Sequence, residues 1–123
     1  MKKLNAKGKG EYAYDQEHDT FLLKVKDRFY DHSLEFGSLI VDIDTEGFIM
    51  GLRIMDAAKM FSLQKEDLIN LQDCKFTATV EENTISILLR FTTSGEHPIT
   101  QGEHFIREAT GEVMDSEVLC TIA

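Results

Sequence analysis

A chain of 123 residues, 42% of them hydrophobic, is long enough to build one domain around its own core without disulfide or metal staples. Its 22 acidic against 13 basic side chains give a formal net charge of -9, which opposes binding to nucleic acid and to anionic membrane surfaces. No run of about 18 apolar residues is present to cross a membrane, and no apolar secretory segment follows the first lysines.

Residues 1–10 hold Lys2, Lys3, Lys7 and Lys9 with two glycines and few apolar side chains, and are expected to hang free ahead of a single domain over 11–123. Tyr12 and Tyr14 then stand at strand spacing. After a polar turn at 16–19, Phe21, Leu23 and Val25 share one face of a second strand, so 11–26 reads as a hairpin. Residues 27–35 fit either a strand extension or a turn with a short strand. The clearest signal is 36–55. Leu39, Val41 and Ile43 alternate with Ile40, Asp42 and Asp44, and Phe48, Met50, Leu52 and Ile54 alternate after the turn at 44–47. Gly47 late in that turn fits a left-handed closing residue.

The period changes at 56–71. Asp56 is placed to cap a short helix carrying Ala57, Ala58, Met60 and Phe61, and Ser62 to cap a second with Leu63, Leu68 and Leu71. Alternation returns with Phe76, Ala78 and Val80, a turn at 81–83, and Ile85, Ile87, Leu89 and Phe91. Beyond 95 the pattern weakens, with a short element expected near 104–109 and a closing strand over 117–122. The fold class expected is α+β, a mainly antiparallel sheet of six to eight strands with one or two short helices at 56–71 on one face.

Three constellations bear on chemistry. Asp42, Asp44, Glu46 and Gly47 match the opening of a calcium loop, which needs oxygen ligands at positions one, three and five and glycine at six. Arg53 stands where the bidentate glutamate belongs, so at most a weak, millimolar cation site at Asp42, Asp44 and Glu46 is expected. Asp15, His18 and Asp19 crowd the first turn and form a candidate polar pocket for acid–base work. The histidines show no ligand spacing for a metal, no glycine-rich phosphate loop or nucleophile elbow occurs, and no cofactor is predicted. Cys74 and Cys120 lack CxxC spacing and are expected to be free, buried thiols in a reducing cytoplasmic setting.

Two stretches carry a resemblance. Residues 14–22, YDQEHDTFL, and 40–58, IVDIDTEGFIMGLRIMDAA, keep the order of aspartates, glycines and the closing aspartate–alanine found in a small prokaryotic family, the domain of unknown function 2283 or YuzE-like proteins. The resemblance covers about residues 11–58. It implies a curved antiparallel sheet with a short helix after the core strands, and it supplies no activity, cofactor or catalytic residue. The leading functional expectation is a non-enzymatic interaction or adaptor module, with homodimer formation through an edge strand as one route to a partner. The alternatives are an enzyme whose site assembles only in three dimensions, or a weak divalent-cation binder. An open pocket at Asp15 or His18 beside other polar groups would favour the enzyme.

Overall fold

The alternating stretches are realised as one nine-stranded sheet. The computed structural model describes residues 1–122. Its strands are β1 (Lys2–Asp15), β2 (Thr20–Val25), β3 (Tyr30–Phe36), β4 (Leu39–Asp44), β5 (Ile49–Ile54), β6 (Leu71–Glu81), β7 (Thr84–Thr93), β8 (Thr100–Glu108) and β9 (Ser116–Ile122). Between β5 and β6 lie a five-residue helix, α1 (Ala57–Phe61), and a 3-10 turn at Lys65–Leu68. The sheet order is β3-β4-β5-β2-β1-β9-β6-β7-β8, antiparallel throughout except for the parallel pair β1 and β9. Among the described residues no helix is long and apolar enough to cross a membrane.

The protein is thus nearly all-β with a mixed sheet, which corrects the α+β expectation of six to eight strands under helices at 56–71. The reason lies in two left-handed residues. Asp56 (φ 53) makes no side-chain cap, and Ser62 (φ 56) ends α1 by donating its amide N–H to the Ala58 and Lys59 carbonyls instead of starting a second helix. Leu68 is then anchored by the 3-10 turn, and Leu71 already belongs to β6.

The amino terminus is the other departure. Residues 1–10, expected to hang free, supply most of β1. Leu4 and Ala6 pack against the core while the four lysines stay exposed. This segment pairs with β9, the last strand in sequence, which lies in the interior of the sheet between β1 and β6. At Gly10 the long strand changes partner, from β9 to β2. A Cβ at Gly10 would lie 2.8 Å from the Thr121 carbonyl oxygen, so the close approach requires glycine.

The sheet curls upon itself. Four strand spacings separate β2 from β7, roughly 19 Å along a flat sheet, yet the Phe21 and Phe91 rings stack with centroids 6.0 Å apart. Phe61 of α1 meets both edge-on, at 6.4 Å and 5.0 Å. One continuous core therefore joins both halves of the sheet, and α1 plugs it. The two edges, β3 and β8, come near one another across a hollow bordered by Leu34, Phe36 and Ala109.

Cys74 and Cys120 point into this core on the neighbouring strands β6 and β9, both as free thiols. Burial pushes Cys74 from its ordinary 9.0 to about 12, with Cys120 and Asp73 adding to the shift, and burial pushes Cys120 to about 11. Because the unfolded thiols ionise near pH 9 and the folded ones do not, stability present below pH 9 is lost as pH rises toward 11–12. Tyr14, raised by burial and by its hydrogen bond to Asp19, acts in the same direction. The urea midpoint is expected to fall steadily above pH 9, and iodoacetamide at pH 8 to label neither thiol until the chain unfolds. Rapid native labelling would show that the core is open at β6 and β9.

Candidate functional site

The turn between β4 and β5 is held by side chains that sequence spacing had offered to a cation. Gly47 (φ 91) takes the left-handed position and donates its N–H to the Asp44 carbonyl. Asp44 is 2% exposed, and its Oδ1 accepts the amide N–H groups of Glu46 and Phe48, each at 2.9 Å. Its Oδ2 accepts from Arg28 Nε at 2.7 Å, and Arg28 also donates to Glu46 Oε2. Burial alone would lower the Arg28 pKa, but the two carboxylates outweigh it and raise it. Asp42 faces elsewhere. It accepts from Arg53 Nη2 at 2.9 Å and from Ser33 Oγ at 2.7 Å. The three candidate cation ligands are thus divided between two arginines, and among the described residues no three His, Cys, Asp or Glu side chains gather as a metal site.

The first turn is divided as well. Asp15 Oδ2 lies 2.7 Å from His18 Nδ1, and this hydrogen bond, with others to backbone N–H groups, holds the Asp15 carboxyl below its ordinary range. Asp19 turns the other way. Burial would raise its pKa, but hydrogen bonds from the Tyr14 hydroxyl and the Ala58 amide N–H at 2.9 Å prevail and lower it. Asp19 is therefore the cap of α1, the role sequence had given to Asp56, and it does not join Asp15 and His18.

What Asp15 and His18 do border is a hollow of about 530 Å3 on the outer face of β1, β2 and β5, lined also by Ala13, Thr20, Leu22, Arg53 and Met55. Strand register builds it. Ala13, Leu22, Arg53 and Ile40 are successive cross-strand partners, and Asp15 pairs with Thr20 in the next row, where the Thr20 hydroxyl reaches Met55 Sδ at 3.6 Å. Arg53 forms the wall between the hollow and Asp42. Its Nε is shielded from solvent and has no hydrogen-bond partner among the described residues. The sequence pointed to Asp15 and His18 through their separation of three. It gave no local signal for Arg53, whose place depends on the register of β5 against β2 and β4.

Fold and hollow define a small curled-sheet β protein with an open, polar-rimmed site on its outer face. The chain belongs to the family described as Protein of unknown function (DUF2283), which matches residues 11–57 and so includes every residue lining the hollow. It is 30% identical over 82 residues to a Methanosarcina mazei protein named "Putative hypoxanthine phosphoribosyltransferase", covering 67% of each chain. It is 26% identical over 78 residues to an uncharacterised protein of Methanocaldococcus jannaschii, covering 63% of this chain and 67% of that one. No solved structure matches the chain significantly.

Proposed function

We propose that the protein is a binding module for a small molecule with an apolar body and a hydrogen-bond acceptor, held in the hollow over Ala13, Leu22 and Met55. The observation that carries this reading is the hollow itself, where Ala13, Leu22 and Met55 meet the Arg53 guanidinium. The Arg53 side chain is 37% exposed, which leaves guanidinium N–H groups to donate to an acceptor on a ligand. The size agrees, since small-molecule sites run from about 300 to 1,000 Å3 with mostly apolar walls and a few converging polar groups. Arg53 is already engaged by Asp42 and Ser33, which suits a neutral or singly charged ligand better than a multiply charged one.

The enzyme reading attaches to the same place. Asp15 fixes one ring nitrogen of His18, leaving Nε2 without a hydrogen bond among the described residues and able to move a proton at a bound molecule. Edge pairing into a homodimer is an accompanying proposal, supported by the exposed Phe29 and Tyr30 beside the free β3 edge. The free thiols support a reducing compartment, the cytoplasm.

The test is a fragment screen read by amide and methyl NMR. Binders are expected to shift Ala13, Leu22, His18 and the Met55 methyl together, and Leu22→Glu to abolish those shifts. Hits scattered over other surfaces, or none at these residues, would refute the binding reading. A bound molecule that is turned over, with turnover lost in His18→Gln, would convert it into the enzymatic one.

A further inference from the structure

The other half of the sheet carries a second exposed face, built by β9, β6, β7 and β8, and its charge is anomalous. Lys75 of β6 and Arg90 of β7 are direct cross-strand partners on that face. Like charges placed opposite one another destabilise a sheet, and neither cation has an ion-pair partner among the described residues. Asp73, two residues before Lys75 on the same strand face, lines a smaller neighbouring hollow together with Lys75 and Arg90, but it forms no ion pair with either among the described residues. In a chain of net charge -9, an unpaired cationic couple is unexpected.

Beside the couple lies a hollow of about 490 Å3, lined by Leu88, Leu119, Gly102, Glu103 and His104 as well as Lys75 and Arg90. Register again explains it. Thr77, Leu88 and His104 form one cross-strand row with Leu119, and Arg90 and Gly102 are partners in the next. Leu88 is 54% exposed, a large apolar side chain on an open surface. His104 Nε2 is 2.8 Å from Ser86 Oγ. Gly102 is the telling residue. It sits inside a strand, where glycine weakens the sheet, yet a Cβ there would meet only the Leu89 carbonyl oxygen at 3.8 Å. Neither packing nor a turn requires it, and its missing side chain keeps the hollow open next to the Arg90 guanidinium.

We infer that this hollow binds a small organic anion, its carboxylate or phosphate between Lys75 and Arg90 and its apolar body on Leu88 and Leu119. The anion relieves the repulsion of the couple, and Arg90 presents a planar fork suited to either oxyanion. The site lies outside residues 11–57 and shares no residue with the hollow at His18, so success or failure here is read separately from that of the proposed function.

The test is NMR titration of the whole chain with 4-phenylbutyrate, its neutral counterpart 4-phenyl-1-butanol, and phenyl phosphate. An anion is expected to shift the amides of Leu88, Gly102, His104 and Leu119 saturably, with the alcohol at least tenfold weaker. Tighter binding of the carboxylate or of the phosphate ester tells which oxyanion the site favours. Arg90→Gln and Lys75→Gln should each weaken the anion at least tenfold without lowering Tm, because removing one cation relieves the couple. A purely structural role would lower Tm instead. Gly102→Val, whose Cβ would meet nothing closer than the Leu89 carbonyl oxygen at 3.8 Å, should close the hollow. Equal affinity for the alcohol, no saturable shift on this face, or anion binding unchanged in Arg90→Gln would overturn the inference.

Discussion

Phe91→Ala is expected to lower the unfolding free energy by about 4 kcal/mol. Phe91 is fully buried, and its ring touches Phe21 of β2 at 6.0 Å and Phe61 of α1 at 5.0 Å. Removing it forfeits the transfer free energy of a whole aromatic side chain. It also opens a cavity that the two opposed halves of the sheet cannot readily close, since each is fixed by its own ladder of hydrogen bonds. The aromatic contacts add about 0.5–1.5 kcal/mol each beyond the buried area. Because Phe91 and Phe21 belong to opposite halves of the sheet, a double-mutant cycle with Phe21→Ala should return a coupling of about 1 kcal/mol. Leu88→Ala, on the outer face of the same strand, should stay within about 0.5 kcal/mol of wild type. Urea unfolding measures all of these. A loss below about 1.5 kcal/mol for Phe91→Ala, or no coupling with Phe21, would mean that the halves do not share a core.

How much of this architecture was legible depends on how far apart in sequence the partners are. The hairpins β1–β2, β4–β5 and β6–β7 could be read from alternation, because each is local and each buries one side chain in two. The β1–β9 pairing could not. Leu4 and Ala6 are too small a signal among four lysines, and their partner strand is more than a hundred residues away. At 56–71 the helical spacing of Leu63, Leu68 and Leu71 was present without a helix to carry it, because Ser62 turns left-handed and β6 claims Leu71. The same divide runs through the sites. Asp15 and His18 meet within one turn and were visible. Asp19 lies in that turn too, yet its partner is Ala58, thirty-nine residues on, and its role as a cap emerged only when α1 docked. Arg53 and the Lys75–Arg90 couple exist as sites only through register, which no single stretch of sequence states.

Asp44→Ala is expected to cost about 3 kcal/mol, more than any other change in the turn at 44–47. Breaking a buried ion pair by removing one partner costs roughly 3–5 kcal/mol, and the figure belongs at the low end because Arg28 is 19% exposed and keeps Glu46. To this is added the Phe48 amide N–H, a buried donor left without its acceptor. Asp42→Ala is the control. Its Arg53 partner is 37% exposed, and its loss should cost about 1 kcal/mol. The two changes should also differ in reach. Arg28 and the Thr45 N–H donating to the Phe29 carbonyl oxygen tie the start of β3 to the turn, and β3 carries Ser33, which helps Asp42 hold Arg53 at the wall of the His18 hollow. Loss of Asp44 should therefore speed amide exchange along β3 and weaken any ligand of that hollow, although Asp44 does not line it. Asp42→Ala should disturb Arg53 directly and leave β3 exchange near wild type. Urea unfolding and hydrogen exchange on the two variants check this, and equal stability losses with unchanged β3 exchange in Asp44→Ala would show that the Arg28–Asp44 pair anchors nothing beyond the turn itself.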